Sequence, residues 1–332
     1  MIFGGMSPEY EVSLKSADSV LSCGLDEYEI TKIGITKDGN WYHFTGENEE
    51  ILKDSWHKGK NISPVSPCKG GFLIQGAKRY VPDIVLPVAH GDFMEDGRLQ
   101  AVFEHFQIPY VGSGSYASFI AYNKHLTKAV ARGLSIPVAK DFLISREDLK
   151  NPDKIKEVAK KIGYPVFVKP SSSGSSMGAS IVRCEGELLE RVKEALAFSP
   201  CVLIEELVRG RECEVCVLEM NGVPTVIGVG EISYDSPFYD YDTKYNSSGV
   251  SYKIPPRLDE GVKNAIFSHS LRLFCQLGCG GLCRFDYFVT ENGEYFFNEV
   301  NTLPGLTKSS LAPMLCESKG ISLKKLVKIL CS

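Results

Sequence analysis

The run LCRFDYFVTENGEYFFNEVNTLPG constrains the fold of this chain more than any other segment. Two apolar, aromatic stretches flank Asn292-Gly293, the dipeptide that most strongly signals a tight β-hairpin. A turn centred there places Asp286 opposite Glu299 and Arg284 opposite Asn301. Side chains alternate between strand faces, so these four residues share one face. Two carboxylates directly opposed on a mostly apolar hairpin repel each other. A divalent cation held by hard oxygen ligands removes that repulsion, and Mg²⁺ usually shares such a shell with nucleotide phosphates. The alternative is a solvated face on which Arg284 neutralises one carboxylate.

A second segment points toward phosphates. Between the strand-like YPVFVKP and ASIVRC lies Ser171-Ser172-Ser173-Gly174-Ser175-Ser176-Met177-Gly178. Small residues let backbone N–H groups and hydroxyls fold over phosphate oxygens, and Lys169 adds a point charge. The GxxxxGK[ST] pattern of a P-loop is absent, and a flexible hairpin connection is an equally good account of the stretch alone. Combined with the carboxylate hairpin, it suggests a nucleotide held between sheets. Glu205 and Glu206, ending CVLIEEL, then bound an adenine and ribose pocket, or else form a solvated strand end.

Composition narrows the class. The chain has 332 residues, enough for two or three domains, with 43% apolar and 23% charged content as in ordinary globular proteins. With 37 basic and 41 acidic residues its net charge is −4, which argues against a nucleic-acid or anionic-membrane surface as main partner. No apolar run reaches the roughly 18 residues that span a bilayer. The N-terminal MIFGGMSPEYEVSLKS shows no export pattern, so a cytoplasmic protein is expected. Eleven cysteines, an odd number, are read as reduced thiols. Cys213 and Cys216 lie in a predicted strand, where an odd separation sends them to opposite faces. Cys275, Cys279 and Cys283 have no histidine at zinc-ligand spacing.

Along the chain, strands alternating with helices from MIF to IPYVGS predict a parallel α/β unit over residues 1–116, with Ser7 capping its first helix. DIVLPVAHG reads as a covered parallel strand, and residues 47–78 as irregular. SYASFIAYNKHLTKAVARGL reads as one helix opening an α+β unit, residues 117–210. A third unit, residues 211–332, holds ECEVCVLEM, VPTVIGVGEI, a long aromatic loop, a helix and the carboxylate hairpin.

The segments GG-MSPEYEVS, HGDFMEDGRLQ, NKHLTK, YPVFVKPSSSGSSMG, LIEEL…RECEV, YDYDTKY, CRFDYF and NEVNTLPGLT, in that order, resemble the D-alanine–D-alanine ligase family of the ATP-grasp superfamily. The similarity runs through residue 313, and eight motifs in sequence are far more specific than any one alone. It implies an ATP-grasp fold combining α/β and α+β parts, in which the two later units sandwich ATP. The implied reaction joins two D-alanines through a D-alanyl phosphate to give D-alanyl-D-alanine, ADP and phosphate for peptidoglycan, hence for the cell wall and cell shape. A D-alanine–D-serine ligase is the alternative, and a catalytically silent nucleotide-binding domain the competitor from another class. The last should lack a metal carboxylate or Arg284, and this chain keeps them.

By resemblance, Lys124 and Lys169 hold ATP phosphates, and Ser175 and Ser176 lie in the covering loop. Glu205 lies at the adenine edge, and Glu212 takes the ribose hydroxyls. Asp286, Glu299 and Asn301 bind two Mg²⁺, for which Mn²⁺ can substitute. Arg284 and the Gly305 N–H stabilise the oxyanion. Glu9 holds the first substrate's ammonium group, His90 lies near that substrate with Glu95 in support, and Ser310 receives the second substrate's carboxylate. The loop from Pro237 to Gly249 is a lid. From it Lys244 reaches the γ-phosphate, and Tyr245 hydrogen-bonds with Ser175 and Glu9. Keeping Tyr245 favours a D-amino acid over D-lactate. The family also implies a homodimer, while the charge balance and the lack of a long apolar run lead to the expectation of no nucleic-acid or membrane partner. Three departures stand out: a short leading strand, Met94 where glycine is common, and Ser309 where a larger residue is frequent beside Ser310.

Overall fold

The structure, a computed structural model, describes residues 1–76, 79–234 and 249–332. Three sheets organise them. In the first, Ile2–Gly4 lies between Lys32–Ile35 and Pro87–Val88 and pairs with both in parallel. The sheet then continues antiparallel through Trp41–Phe44, Ile62–Cys68, Gly71–Ile74 and Arg79–Tyr80. It is therefore mixed, not the parallel sheet expected, and residues 47–76 of the stretch read as irregular are not so. They carry a short helix, Asn48–Leu52, with a Glu47/Glu50 capping box, and two strands. The first of these strands, ISPVSPC, contains two prolines that read as breakers in sequence but are tolerated where a strand needs no N–H. DIVLPVAHG also contributes less than expected: only Pro87–Val88 is strand, while Val85 makes an isolated bridge to Tyr110. The helix Tyr10–Leu21 starts one residue after Glu9, and Ser7 Oγ accepts the Glu9 N–H at 2.9 Å.

The expected single helix after residue 115 is two, Ser115–Tyr122 and Lys124–Gly133. Asn123 turns to extended geometry between them, and its side chain accepts the Leu126 N–H at 3.1 Å. An N-cap of this kind satisfies a donor that a helix start leaves orphaned. The second sheet follows, ordered Ser180–Val182, Val166–Pro170, Cys201–Glu206, Asp141–Ser145, all antiparallel. Helices Pro152–Ile162 and Glu185–Ala195 cover one face, packing Ile155, Leu188 and Val192 on Val166, Val168, Val202 and Ile204. The opposite face carries Lys169 and Glu205, because strand side chains alternate.

The third sheet runs Ser251–Lys253, Val223–Ser233, Arg211–Met220, Leu282–Val289, Tyr295–Asn301. Helix Glu260–Leu277 is capped by Asp259, which accepts the Gly261 N–H at 2.8 Å. It buries Cys213, Val215, Phe285 and Tyr287 on one sheet face. Cys216 instead joins Leu315 and Cys316 of helix Leu311–Ser318 on the other. The odd separation of Cys213 and Cys216 thus has the consequence expected, and all eleven thiols are free.

The hairpin keeps its expected register where it matters: Asp286 pairs with Glu299 and Arg284 with Asn301. Its turn differs. The Thr290 N–H donates to Glu294 O at 2.8 Å, closing a three-residue loop with Gly293 at φ +81. A bulge beside Asp286 then makes Asn298 the extra residue, since Tyr287 pairs with Phe297. Among the described residues no helix is long and apolar enough to cross a membrane.

Candidate active site

A cleft of about 840 Å³ separates the second and third sheets, a size typical of cofactor sites. One wall is helix Lys124–Gly133, whose Lys124, Lys128 and Arg132 recur every fourth residue and so share a face. Each meets a carboxylate: Lys124 Nζ lies 3.1 Å from Glu299, Lys128 pairs with Glu205, and Arg132 with Asp141. Lys169 reaches the other Glu205 oxygen at 2.7 Å and donates to Asn298 Oδ1 at 2.8 Å. Lys124 Nζ also donates to the Ser173 carbonyl at 2.7 Å, tying the helix start to the serine loop.

Burial pushes the Glu205 carboxyl up, yet the ammonium groups of Lys128 and Lys169 outweigh it and hold the group at about 2. Both oxygens are occupied by lysines, so Glu205 serves the cleft first as an anchor for charge rather than as an open edge for a base. Sequence reasoning missed Lys128 and Arg132. Their signal was the spacing K-x₃-K-x₃-R in NKHLTKAVARG, which becomes meaningful only once the helix faces a carboxylate-bearing sheet. Glu206 is exposed at the rim, and Glu212 accepts from Tyr234 Oη at 2.6 Å. Both line the cleft.

The hairpin forms the facing wall. Arg284 Nε and one terminal nitrogen donate to the two Asp286 oxygens at 2.8 and 2.7 Å, and Nε lies 3.1 Å from Glu214. Glu214 pairs with Asp286 across the neighbouring strand, so Glu214, Asp286 and Glu299 form a row over three strands. Glu214 was not legible in the hairpin itself, because its place depends on which strand lies alongside. Asn301 Oδ1 accepts the Leu303 N–H at 2.9 Å. Asp286, Glu299 and Asn301 therefore offer hard oxygens on one face, a donor set that fits Mg²⁺ or Mn²⁺ with phosphate and water completing the shell. Arg284 and Lys124 meanwhile neutralise the same carboxylates. The two solutions considered for the opposed pair use one set of atoms.

The serine loop reaches the first sheet through Glu9. Ser175 and Ser176 sit at φ +49 and +56, a left-handed conformation unusual for serine, and Ser175 Oγ donates to Glu9 Oε1. A Cβ on Gly174 would stand 2.7 Å from Glu9 Oε2, and one on Gly91 would stand 2.4 Å from it. Two glycines from separate loops thus pinch one carboxylate. Met94 packs over Gly5, where a Cβ would approach its Sδ to 2.9 Å. The backbone of Gly5 is consequently covered by this chain's own side chain rather than open to a small ligand.

His90 is 5% exposed, and both ring nitrogens are engaged: Nδ1 lies 3.0 Å from the Leu303 carbonyl and Nε2 3.0 Å from Ser16 Oγ. A carbonyl only accepts, so Nδ1 carries a proton and Nε2 of the neutral ring accepts from Ser16. Burial pushes the imidazole down, but Glu95, 3.5 Å away, and Glu9 pull it above its ordinary value. The Leu306 N–H meets Ser16 Oγ at 3.4 Å. His90 and Ser16 thus fasten the segment 303–306 to the first sheet. A Cβ on Gly305 would lie 2.7 Å from Ser310 Oγ, so these two residues are neighbours, and Thr307 Oγ1 lies 2.8 Å from Ser310 Oγ. Ser309 Oγ is 3.0 Å from the same threonine. Glu9, His90, Gly305 and Ser310 are not part of the large cleft's wall. Lys244 and Tyr245, with most of the expected lid, lie outside the described residues.

Residues 1–113 match the family model described as D-ala D-ala ligase N-terminus, and residues 130–332 match D-ala D-ala ligase C-terminus. The chain belongs to the D-alanine–D-alanine ligase family. A D-alanine–D-alanine ligase of Acetivibrio thermocellus is 38% identical to this family member, over 99% of this chain and 93% of the relative. The crystal structure of the VanG D-Ala:D-Ser ligase from Enterococcus faecalis superimposes with a TM-score of 0.90 at 36% identity, covering 99% of this chain and 96% of that one. The D-alanine-D-alanine ligase from Coxiella burnetii gives 0.86 at 31% identity, covering 99% and 91%. The family fold is ATP-grasp, with ATP as a substrate.

Proposed function

We propose that this ligase joins two D-alanines through a D-alanyl phosphate, releasing ADP and phosphate, and so supplies D-alanyl-D-alanine for peptidoglycan. The observation that carries this is the Asp286–Glu299 register on a cleft wall opposite Lys124 and Lys169, with Arg284 on the same face. Phosphoryl transfer needs little from a protein beyond positioning and charge stabilisation. Lys124 and Lys169 meet the phosphates, while Glu212 takes the ribose. Glu206 borders the adenine, while Glu205, with both oxygens on lysines, anchors the charge of the cleft. Asp286, Glu299 and Asn301 would hold Mg²⁺, which offsets phosphoryl charge when bound.

Glu9, fixed by Gly91, Gly174 and Ser175, takes the first D-alanine's ammonium group, and a carboxylate oxygen of that D-alanine attacks the γ-phosphorus as ADP leaves. The amine of the second D-alanine, its carboxylate held at Ser310, then attacks the acyl carbon after losing a proton. The C–N bond forms and phosphate departs. Arg284 and the Gly305 N–H stabilise the intervening oxyanion. Lys244 and Tyr245 belong to the lid that keeps water from the acyl phosphate. We assign residues 1–116, 117–210 and 211–332 to three units, the working form to a homodimer, and the reaction to the cytoplasm.

The likeness to the VanG D-Ala:D-Ser ligase supports a second reading, in which D-serine is the second substrate. Hydroxyls of Thr307 and Ser309 beside Ser310 offer partners for the serine hydroxyl. Product analysis with ATP, Mg²⁺ and D-alanine, with and without D-serine or D-lactate, decides between them. The first reading expects D-alanyl-D-alanine as main product throughout. A mixed D-alanyl-D-serine product in competition establishes the second, and no phosphate release above background removes both.

A further inference from the structure

Lys128 has no role in the reaction above, yet it is 0% exposed and lines the nucleotide cleft. A buried ammonium is costly unless paired, and among the described residues Lys128 is paired only with a carboxylate that a second ammonium shares. Lys128 Nζ contacts Glu205 Oε2, while Lys169 Nζ contacts Oε1 at 2.7 Å. Three charges therefore sum to one positive charge. The remaining charged neighbours are matched among themselves: Arg132 pairs with Asp141, with His125 Nδ1 3.7 Å from that carboxylate, and Lys124 pairs with Glu299.

We propose that Lys128 is the buried counter-cation of the nucleotide site: by satisfying Glu205 it leaves the charge of Lys169 uncompensated and available to anionic phosphates. Glu205 without Lys128 is a carboxylate with Lys169 as its one remaining ion-pair partner among the described residues, and the triad becomes electrically silent. Lys128 is then a positioning residue, acting on phosphates through Glu205 and Lys169 without touching them. The inference rests on the reading of this cleft as an ATP site.

Burial presses Lys128 down to about 8, against the pull of Glu205 and with the push of Lys169 and Arg132. Raising the pH past that value should remove its charge in the unaltered protein.

The test measures ATP binding directly, by calorimetry in the presence of Mg²⁺, together with steady-state kinetics. The Lys128→Met variant is expected to bind ATP ~10-fold or more weakly at pH 7 and to raise the KM for ATP similarly, with kcat changed less than ~3-fold. Adding Glu205→Gln to it restores the single positive charge of the triad, and should recover most of the lost affinity. A merely structural Lys128 predicts no recovery, or a further loss. Should Lys128→Met not fold, the double variant, whose buried pair is neutral, and the unaltered protein still decide. The double variant should bind ATP within ~3-fold of the unaltered chain, whose affinity should weaken above pH about 8 while that of the double variant does not. Unchanged ATP affinity in folded Lys128→Met overturns the proposal, as does a double variant no tighter than the single. Failure of the unaltered protein to bind ATP would instead overturn the assignment of the cleft.

Discussion

Arg284 joins two roles at one atom group. Its guanidinium forks onto Asp286 and leans on Glu214, so it is held rigid where the proposed reaction would develop negative charge on the acyl oxygen. Arg284→Ala should reduce kcat by ~10²-fold or more while ATP affinity changes little. Initial-rate kinetics alongside nucleotide binding separate the two, and an equal fall in both would assign Arg284 to the nucleotide. Glu205 makes a different prediction. Its carboxyl is held at about 2 in the fold against an ordinary value of 4.5, so the unfolded chain binds the proton more readily. The stability it contributes is complete above pH ~4.5 and is lost as the pH falls toward 2, by up to ~1.4 kcal/mol per pH unit. Urea denaturation across that range should show the slope, reduced in the neutral Lys128→Met/Glu205→Gln variant. Lys124, Lys169, Glu205 and Glu299, though not Lys128 or Glu214, were legible in the sequence as site residues. Their pairing was not, since Lys128 and Glu205 come from elements that only tertiary packing brings together.

The hairpin shows how a correct register came with the wrong turn. A two-residue turn at Asn292-Gly293 would also pair Asp286 with Glu299, but it would place Asn298 opposite Tyr287 in the core and turn Phe297 to the cleft. The three-residue loop with the Asn298 bulge reverses that. Phe297 is fully buried, and Asn298 meets Lys169. Burying an aromatic ring and freeing an amide outweigh the preference of Asn-Gly for a tighter turn. Gly293 now bears the left-handed conformation, and an added Cβ would meet only Val262 Cγ2 at an ordinary 3.9 Å, so Gly293→Ala should cost ~1 kcal/mol through backbone strain. Chemical denaturation measures it, and activity should persist in the variant. Helix existence was likewise clear where apolar spacing was strong, while the break at Asn123 was hidden because continuous helical composition runs through it.

At the scale of the molecule, the composition's oddest entry resolves into burial. Cys213, Cys216, Cys283 and Cys316 are buried on either side of the third sheet, whereas Cys184 and Cys275 are exposed. Burial also pushes the Cys213 thiol up to about 12. A thiol reagent should therefore label Cys184 and Cys275 rapidly in the native protein and the four buried thiols only on unfolding, as peptide mapping would show. Early labelling of Cys213 or Cys216 would mean that the third sheet opens far more readily than its packing implies. The near-neutral net charge hid a cleft of concentrated charge because Lys124, Lys128, Lys169, Arg211 and Arg284 all face carboxylates there, and totals are blind to such pairing.

That pairing bears on how ligands arrive. Lys124 on Glu299 and Arg284 on Asp286 make the resident ion pairs stand-ins for the contacts expected with phosphate and metal. Loading the cleft is then an exchange of partners, in which a phosphate takes the lysine as a cation takes the glutamate. Such an exchange sets few counterions free into bulk water. Its equilibrium should depend on ionic strength far less than the charge of the nucleotide suggests, and a metal or a nucleotide offered alone should find half of its partners still engaged.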